Sequence, residues 1–491
     1  MGLFDHEARQ LKFDVLVEVA HRSYSVSIDS NIEDDIAYKL IPTPKADFRC
    51  CVYKEREILR QRTRLAMGKD PVKTGKKCSK ATQVVKVIEA ACDGCSIRKI
   101  QITDNCRKCM AKSCMKSCRF DAISMGEKRA IINYDKCKEC GACVSKCPFH
   151  AIVETHRPCV TSCPVDAISM DQYNLAIIDE DKCINCAQCQ SSCPFGAIED
   201  ASWIVPVIES ISRNKSVYAM VAPSIQGQFG SASYGQIKTG LINLGFKDVI
   251  EVAAAADIVA WHEKEELKRK IQNNSKLTTS CCPAFVNLAK QHFSDVYDKF
   301  VSTLVSPMIL MGRLIKEKDP NAICVFIGPC VTKKQEAMMD ESNSVDYVLT
   351  YEEIAAMFVS SGMYLSQGHD QEVADASVFG RYFAFSGGVS KALSQAAKED
   401  DNIQVKAISA SGCTECKKQL LLLRHNRFEG DVLEGMGCLG GCFNGPAMID
   451  NSMSVKKRFD QDNEHYKKQS IKQNIAKFNV TDAMLHTHKA Q

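Results

Sequence analysis
The sequence predicts a multidomain protein of mixed α+β and α/β class. Between residues 92 and 193 cysteines recur in one spaced pattern, and short apolar tetrapeptides follow the copies. From residue 216 onward, strand-like apolar runs lead into loops rich in glycine, proline and cysteine, with helix-length segments between them. At 491 residues the chain has room for about two to four domains. The expected division is an N-terminal region over 1–90 with no recognisable role, a cysteine-rich region over 91–200, an α/β region over 201–453, and a polar C-terminal tail over 454–491.

Apolar residues make up 45% of the chain, enough for a sizeable core. No apolar run approaches the ~20 residues of a membrane span. The opening residues, Met1-Gly2-Leu3-Phe4-Asp5-His6-Glu7, carry neither a basic segment followed by an apolar one nor a twin-arginine signal. A soluble cytoplasmic protein, with no membrane association, is therefore expected. The net charge is only +4, with acids and bases intermixed, which argues against a nucleic-acid surface. Basic stretches such as Lys54 to Lys80 are expected to be solvated helix faces or a docking site for an acidic protein. The 27 cysteines should be reduced, so metal has to account for their spacing. Zinc sites take two CxxC pairs or add histidine. Here the recurring unit is CxxCxxCxxxCP and histidines are few and scattered, so iron–sulfur clusters are expected.

Two cysteine runs are complete: Cys137, Cys140, Cys143 and Cys147-Pro148, then Cys183, Cys186, Cys189 and Cys193-Pro194. In such runs the fourth cysteine ligates the other cluster of a pair, so each needs a partner run. Cys106, Cys109, Cys114 and Cys118 form a close variant. Phe120-Asp121-Ala122-Ile123 follows it, as Phe149-His150-Ala151-Ile152 and Phe195-Gly196-Ala197-Ile198 follow the others, marking an internal repeat. The remaining partner is split. Cys159 and Cys163-Pro164, with Val165-Asp166-Ala167-Ile168 behind them, form its second half, and Cys92 and Cys95 form a CxxC upstream. With the Cys106 to Cys147 module inserted between these halves, four 4Fe–4S clusters result. Their expected ligands are Cys106, Cys109, Cys114 and Cys147; Cys137, Cys140, Cys143 and Cys118; Cys183, Cys186, Cys189 and Cys163; and Cys92, Cys95, Cys159 and Cys193. The alternative for Cys92 and Cys95 is a pair of incidental buried thiols.

Downstream, Ser216 to Val221 reads as a strand leading into Ala222-Pro223-Ser224, and Ile323 to Ile327 as a second running into Gly328-Pro329-Cys330. Helices over Tyr234 to Leu244 and Asp257 to Ile271 would cover the sheet. Ligands of open α/β sheets gather where strands end. Three motifs stand out: Thr279-Ser280-Cys281-Cys282-Pro283, Gly328 to Glu336 (GPCVTKKQE), and Glu434 to Cys442 (EGMGCLGGC). Adjacent strand side chains diverge, so Cys282 can ligate a metal while Cys281 stays a free thiol. Cys282, Cys330, Cys438 and Cys442 supply the four thiolates of a cubane cluster. The glycines of the third motif let backbone approach a bulky cofactor. Cys324, in an apolar run, reads as core. Cys413 and Cys416 open a helical stretch from Thr414 to His425; a redox or metal role competes there with packing, which is expected with only two ligands. Cys50, Cys51 and Cys78 match no ligand spacing and are expected to be small buried residues.

These three motifs, in this order, resemble the signatures of the catalytic domain of diiron (FeFe) hydrogenases, over roughly Ser216 to Met448. The resemblance implies bacterial-ferredoxin-like iron–sulfur modules followed by a two-lobed α/β iron-hydrogenase catalytic domain, with the cofactor between the lobes. It implies an H-cluster, a 4Fe–4S cube bridged to a diiron subsite carrying carbonyl, cyanide and azadithiolate. Cys442 matches the bridging ligand, and Cys282, Cys330 and Cys438 the other cube ligands. Ala222 and Pro223 fall at the cofactor end of their strand. Lys333 matches the lysine that holds a cyanide, a charge-assisted hydrogen bond, and Met436 a methionine packed on the diiron unit. Cys281 matches the thiol that passes protons to the cofactor; an ordinary pKa of ~8.5 would suit that task. Glu263 and Glu266, at i and i+3 on one helix face, and Ser302 match the proton path, and Glu336 a structural carboxylate.

The sequence departs from the best-studied members at Phe285, Gly328 and Met308, positions that touch or flank the diiron subsite, where those carry tryptophan, methionine and glutamine. The implied activity is reversible interconversion of protons and electrons with H2. Ferredoxin or a similar low-potential carrier is the implied partner, maturation proteins would build the diiron unit, and a further redox subunit is compatible. Two other readings are an iron–sulfur assembly factor of hydrogenase type and an H2 sensor. Assembly factors of this type lose the first cysteine of the pair, and a sensor would normally carry an appended signalling domain.

Overall fold
The computed structural model describes residues 4, 6–25, 31–72, 82–92, 95, 98–400, 404–464 and 469–487. The cysteine-rich region is built from three-residue strands. Val85–Val87 pairs antiparallel with Ile198–Asp200, and Ile168–Met170 with Ala176–Ile178. A second copy of this arrangement lies inside the first: Ile100–Ile102 pairs with Ile152–Glu154, and Ile123–Met125 with Ala130–Ile132. The strand pairing is thus nested in the way the split cysteine run requires. Each repeated tetrapeptide supplies a buried Ala-Ile step at the start of a strand: Ala122-Ile123, Ala151-Ile152, Ala167-Ile168 and Ala197-Ile198.

Two parallel sheets follow. The first runs in the order Asp248–Glu251, Val217–Val221, Ile323–Ile327, Tyr347–Leu349. Its central strands are apolar and almost wholly buried, as strands covered on both faces must be. The second runs in the order Leu277–Thr278, Val432–Met436, Ala407–Ser411. The helix Val252–Gln272 starts five residues before its expected beginning, because Val252 to Ala256 are good core fillers buried against both lobes. It packs on Pro307–Lys318 of the first lobe and Gly388–Asp400 of the second.

Residues 1–90 do not stand apart. Helix Glu7–Ser25 lies on helices Ile204–Ser212 and Tyr351–Ser360, and its Phe13, Leu16 and Val19 enter the core shared with Val221 and Ile327. The basic stretch from Lys54 requires a correction over its described part. In helix Val52–Ala66, Arg56, Arg62 and Arg64 are buried rather than solvated. Arg62 pairs with Glu199 at 3.1 Å and Arg64 with Glu33 at 2.7 Å, while Arg56 donates to the Ile41 carbonyl at 2.9 Å. Residues 73–81, including Cys78, lie outside the described residues. Cys50 and Cys51 are exposed, not buried, because they sit in the surface loop that precedes this helix.

The expected polar tail is also corrected. Its described residues form helices Met453–Asp462, Ile471–Ile475 and Asp482–Leu485, and Phe459, Ile471 and Leu485 are buried. Buried amides anchor it: Arg381 Nη1 donates to Asn463 Oδ1 at 2.9 Å, and Asn474 Nδ2 to Asp257 Oδ2 at 2.7 Å.

A buried ion network joins the three parts of the chain. Lys12 pairs with Asp200 and Glu352, each at 2.9 Å, and Lys334 with Asp200 at 2.7 Å and Glu353 at 3.0 Å. Arg9 adds a contact to Glu352. Burial opposes the Asp200 charge, but Lys12 and Lys334 hold its carboxyl well below the usual range. Among the described residues no helix is long and apolar enough to cross a membrane.

Candidate active site
The two sheets aim the C-terminal ends of their strands at one cavity. Its wall includes Cys282, Cys330, Cys438 and Cys442, together with Cys281, Lys333, Ala222, Pro223 and Met436. Cys282 is the extended residue that starts helix Pro283–His292, where Pro283 suits the first helical position. Cys330 sits between strand Ile323–Ile327 and helix Thr332–Met339. Cys438 and Cys442 lie in the glycine-rich loop after Val432–Met436. Gly441 there has φ +93°, and a Cβ on it would fall 2.6 Å from the Ser386 nitrogen, so only glycine brings the loop to the cavity.

Burial pushes the Cys330 thiol up to about 11. It raises Cys438 and Cys442 further, and the neighbouring thiols add to the effect. Four thiols held together in so poor a solvent for charge need a bound cation to become thiolates. The Gly437 N–H already points at Cys282 Sγ, 3.4 Å away. This donor set suits an iron–sulfur cube, and the space beside it, bordered by Ala222, Pro223, Met308 and Met436, leaves room for an attached group.

Behind Cys281 stands Glu263, on the helix Val252–Gln272. Among the described residues neither carboxylate oxygen has a close hydrogen-bond partner, with Ser302 and the Ser280 backbone only in its neighbourhood. Burial, and then the charge of Glu266, push its pKa up to about 8. Ser302 Oγ donates to Glu266 Oε2 at 2.7 Å, and the Leu304 N–H donates to Ser302 Oγ at 3.2 Å. The four side chains expected from sequence are brought into one region. One expectation changes: burial, with Glu263 and Cys282 nearby, drives the Cys281 thiol well above its ordinary value, so it is held protonated rather than poised near neutrality. Ser302 also borders a second, more open cavity, lined by Ser306, Arg313, Glu336 and Asp340.

Lys333 is buried, and its Nζ lies 2.6 Å from Glu336 Oε2, 3.0 Å from Ser306 Oγ and 3.4 Å from the Cys281 carbonyl. Burial works against the ammonium, but Glu336 outweighs it and raises the pKa. Met308 lines the cavity. Phe285 does not: it is fully buried beneath Gly435, where a Cβ would come 2.1 Å from its ring. Gly328 is also absent from the wall, although its neighbours Phe326 and Pro329 contribute. Sequence reasoning missed Ser306, which orients Lys333, and Glu434, which accepts from the Gly387 and Ser390 N–H groups at 2.8 and 2.9 Å. The signal for Glu434 was available: a carboxylate inside the third motif, on a strand with no polar face.

Among the described residues no group of three or more cysteines stands ready to hold a metal ion as the side chains lie, but the nearest charged neighbours of several thiols follow the expected sets. Cys92, Cys95 and Cys159 share a field with Cys193, which raises all three, after burial. Burial also lifts Cys114 beside Cys147 and Cys109, and Cys143, to about 11, beside Cys137, Cys118 and Cys140. In the set of the second complete run, Cys183 lies near Cys186 and Cys163, and Cys189 near all three. The third residue of the CxxC loop is left-handed in the complete runs, Glu139 at φ 51° and Asn185 at φ 54°. This turns their N–H groups onto Cys137 and Cys183 sulfurs, each at 3.4 Å. Cys186 also lines the four-cysteine cavity, so one accessory set abuts the four central thiols. Gln188 Nε2 bridges them, donating to the Gly437 carbonyl at 3.3 Å. Cys413 and Cys416 are buried beside this junction, and the Cys413 thiol donates to the same carbonyl at 3.3 Å.

Residues 215–446 match the family model of the iron only hydrogenase large subunit, C-terminal domain. Residues 130–153 match a 4Fe-4S binding domain, and residues 153–204 the LdpA Fe-S cluster-binding domain. The chain thus carries a domain of iron only hydrogenase type behind two iron–sulfur-binding regions. Iron hydrogenase 1 of Clostridium pasteurianum is 27% identical over 285 residues, 47% of this hydrogenase-like chain and 50% of that protein. The periplasmic Fe hydrogenase large subunit of Nitratidesulfovibrio vulgaris is 29% identical over 231 residues, 41% and 55% of the respective chains. The nuclear prelamin A recognition factor of Homo sapiens is 26% identical over 258 residues, 42% and 56%. The hydrogenase-like chain spans about half the length of the curated relatives it matches. Its iron–sulfur modules precede the hydrogenase-type domain.

Proposed function
We propose that this chain is a hydrogenase that interconverts two protons and two electrons with H2 at an H-cluster between its lobes. Four accessory 4Fe–4S clusters exchange the electrons with ferredoxin or a similar low-potential carrier. The observation that carries the reading is the fifth thiol. Four cysteines suffice to hold a cube, yet Cys281 shares their cavity and has a buried, uncompensated carboxyl behind it.

Cys282, Cys330 and Cys438 would hold the cube and Cys442 would bridge it to the diiron unit, which dedicated maturation proteins supply. When bound, that unit provides the redox-active iron at which H2 is formed or split. The protein's own share is proton handling and positioning. Cys281 Sγ holds a proton at the cavity wall and returns it as the reaction demands. Glu263 is neutral in most molecules at pH 7, because its pKa is about 8. It can pass a proton inward, and refilling it would take a turn of Ser302 Oγ, which donates to Glu266 Oε2 as it stands. Lys333, fixed by Glu336 and Ser306, presents a cationic donor to an anionic ligand. Apolar walls exclude water, so protons reach the cavity by side chains rather than through bulk solvent.

Infrared spectra of anaerobically matured protein, with H2 evolution from reduced viologen, test the proposal. Carbonyl and cyanide bands with turnover are expected. Bands without turnover would favour a sensor. Full cubane content without bands, under maturation that works on a control, would favour an assembly role.

A further inference from the structure
The two nested iron–sulfur modules carry opposite charge. The inner one, residues 98–156, has twelve Lys and Arg against six Asp and Glu, a net charge of +6. The second half of the outer one, residues 157–200, has two against seven, a net charge of −5. The whole chain amounts to only +4, so the balanced total conceals a concentrated basic module. Arg107, Lys112, Lys116, Arg119, Lys138 and Lys146 are all exposed, next to or between the cysteines of the inner sets. None of the six makes an ion pair among the described residues.

The repeat makes the contrast sharper. At equivalent positions after the last cysteine of each run, the inner module exposes Phe120 (43%) and Phe149 (47%). In the outer module the corresponding Val165 is buried at 7%, and Phe195, less exposed at 36%, has the Arg49 guanidinium 5.6 Å over its ring. Phe120 also borders the space enclosed by Cys118, Cys137, Cys140 and Cys143, and Cys140 is itself exposed. An exposed ring beside a cysteine set, with the unpaired cation Lys138 lining the same space, has the anatomy of a transient electron-transfer interface.

We infer that the inner module, residues 98–156, is the docking surface for a small acidic iron–sulfur carrier protein. The inference rests on the proposed electron exchange and locates it. The step is the transfer of one electron: the reduced carrier is oxidised, an inner cluster is reduced, and no bond is made or broken. The lysines and arginines would steer encounter, and Phe120 and Phe149 would exclude water at the contact. Charge steering of this kind raises association rates by about 10–10³ and fades as salt screens it.

The test uses the full cluster-loaded chain and a dithionite-reduced acidic bacterial ferredoxin with two 4Fe–4S clusters. Stopped-flow absorbance follows the passage of electrons into the accessory clusters, independently of any H2 chemistry. Lys112→Glu, Lys138→Glu and Lys146→Glu are combined, with iron content confirming that the clusters load. Lys391→Glu, Lys398→Glu and Lys418→Glu, on the second lobe, form the control. At about 50 mM salt the inner triple variant should slow ferredoxin oxidation at least about tenfold and flatten its salt dependence. Viologen-driven turnover should stay within about twofold, as should ferredoxin oxidation by the control. An unaltered ferredoxin rate in the inner variant, or a wild-type rate indifferent to salt, would overturn the assignment. So would duplex DNA or RNA binding that the variant abolishes while the ferredoxin rate is unchanged. Salt-dependent electron uptake without any H2 evolution would uphold the docking surface and reject the hydrogenase reading.

Discussion

Replacing Glu263 with glutamine separates two roles of this carboxyl. Glutamine keeps the volume and the neutrality that burial imposes, so the cavity and its thiols should persist. What disappears is the exchangeable proton. With a pKa of about 8, roughly nine in ten molecules carry that proton at pH 7. Ionising it at pH 6 takes about 2.7 kcal/mol, small against the barrier of a turnover step. Losing a positioned acid–base group removes about 10²–10⁴ in rate, so H2 evolution by Glu263→Gln should fall by that factor with carbonyl and cyanide bands intact. The pH dependence of stability follows from the same shift. The folded state holds a proton that the unfolded chain releases near 4.5, so this contribution is full below 4.5 and is lost as pH rises through about 8. Hydrogen exchange in the helix Val252–Gln272 should show wild type losing stability relative to the variant by on the order of 4–5 kcal/mol across that window. A carboxyl infrared band, absent from the variant, should titrate near 8. Titration near 4.5, or turnover within a few-fold of wild type, would refute the reasoning.

Cys281→Ala should retain the cofactor bands and lose nearly all turnover, by about 10²-fold or more; substantial residual H2 evolution would remove the thiol from the proton path. Cys92→Ala should reduce total iron by about four atoms, one cubane, as measured by iron analysis. Unchanged iron would make Cys92 an incidental buried thiol. Lys334→Met should destabilise the fold by about 3–5 kcal/mol, because Asp200 and Glu353 would share a buried charge excess. Thermal melts of the cluster-loaded protein check this, and a loss under about 1 kcal/mol would show that Lys12 alone compensates Asp200.

Cysteine spacing was legible because each cluster imposes its ligand count directly on the chain. A run lacking its first half, Cys159 and Cys163, points to the nesting even before any strand is placed. The strands Val217–Val221 and Ile323–Ile327 were readable because both faces are buried and the apolar run is continuous. Hydropathy misled where burial is achieved by ion pairing. Helix Val52–Ala66 is rich in charged residues, yet Arg62 is 2% exposed against Glu199, 137 residues further along. A single sequence does not reveal so distant a partner, and the tail failed for the same reason, since Asn463 and Asn474 meet Arg381 and Asp257. The elevation of the Cys281 and Glu263 pKa values was hidden too, because it depends on a cavity formed by segments far apart in the chain.

The inner iron–sulfur module enters and leaves at strands that are direct neighbours: Ile100 faces Glu154 and Ile102 faces Ile152. Its two ends therefore lie one strand spacing apart, about 4.8 Å. A segment with such ends behaves as a cassette, because a short turn could close the gap it leaves without displacing Val85–Val87 or Ile198–Asp200. Recombination at a single place would lengthen or shorten the chain of clusters, or exchange its outermost surface for one of another charge. On the proposed reading, the choice of electron carrier can thus evolve separately from the four-cysteine cavity.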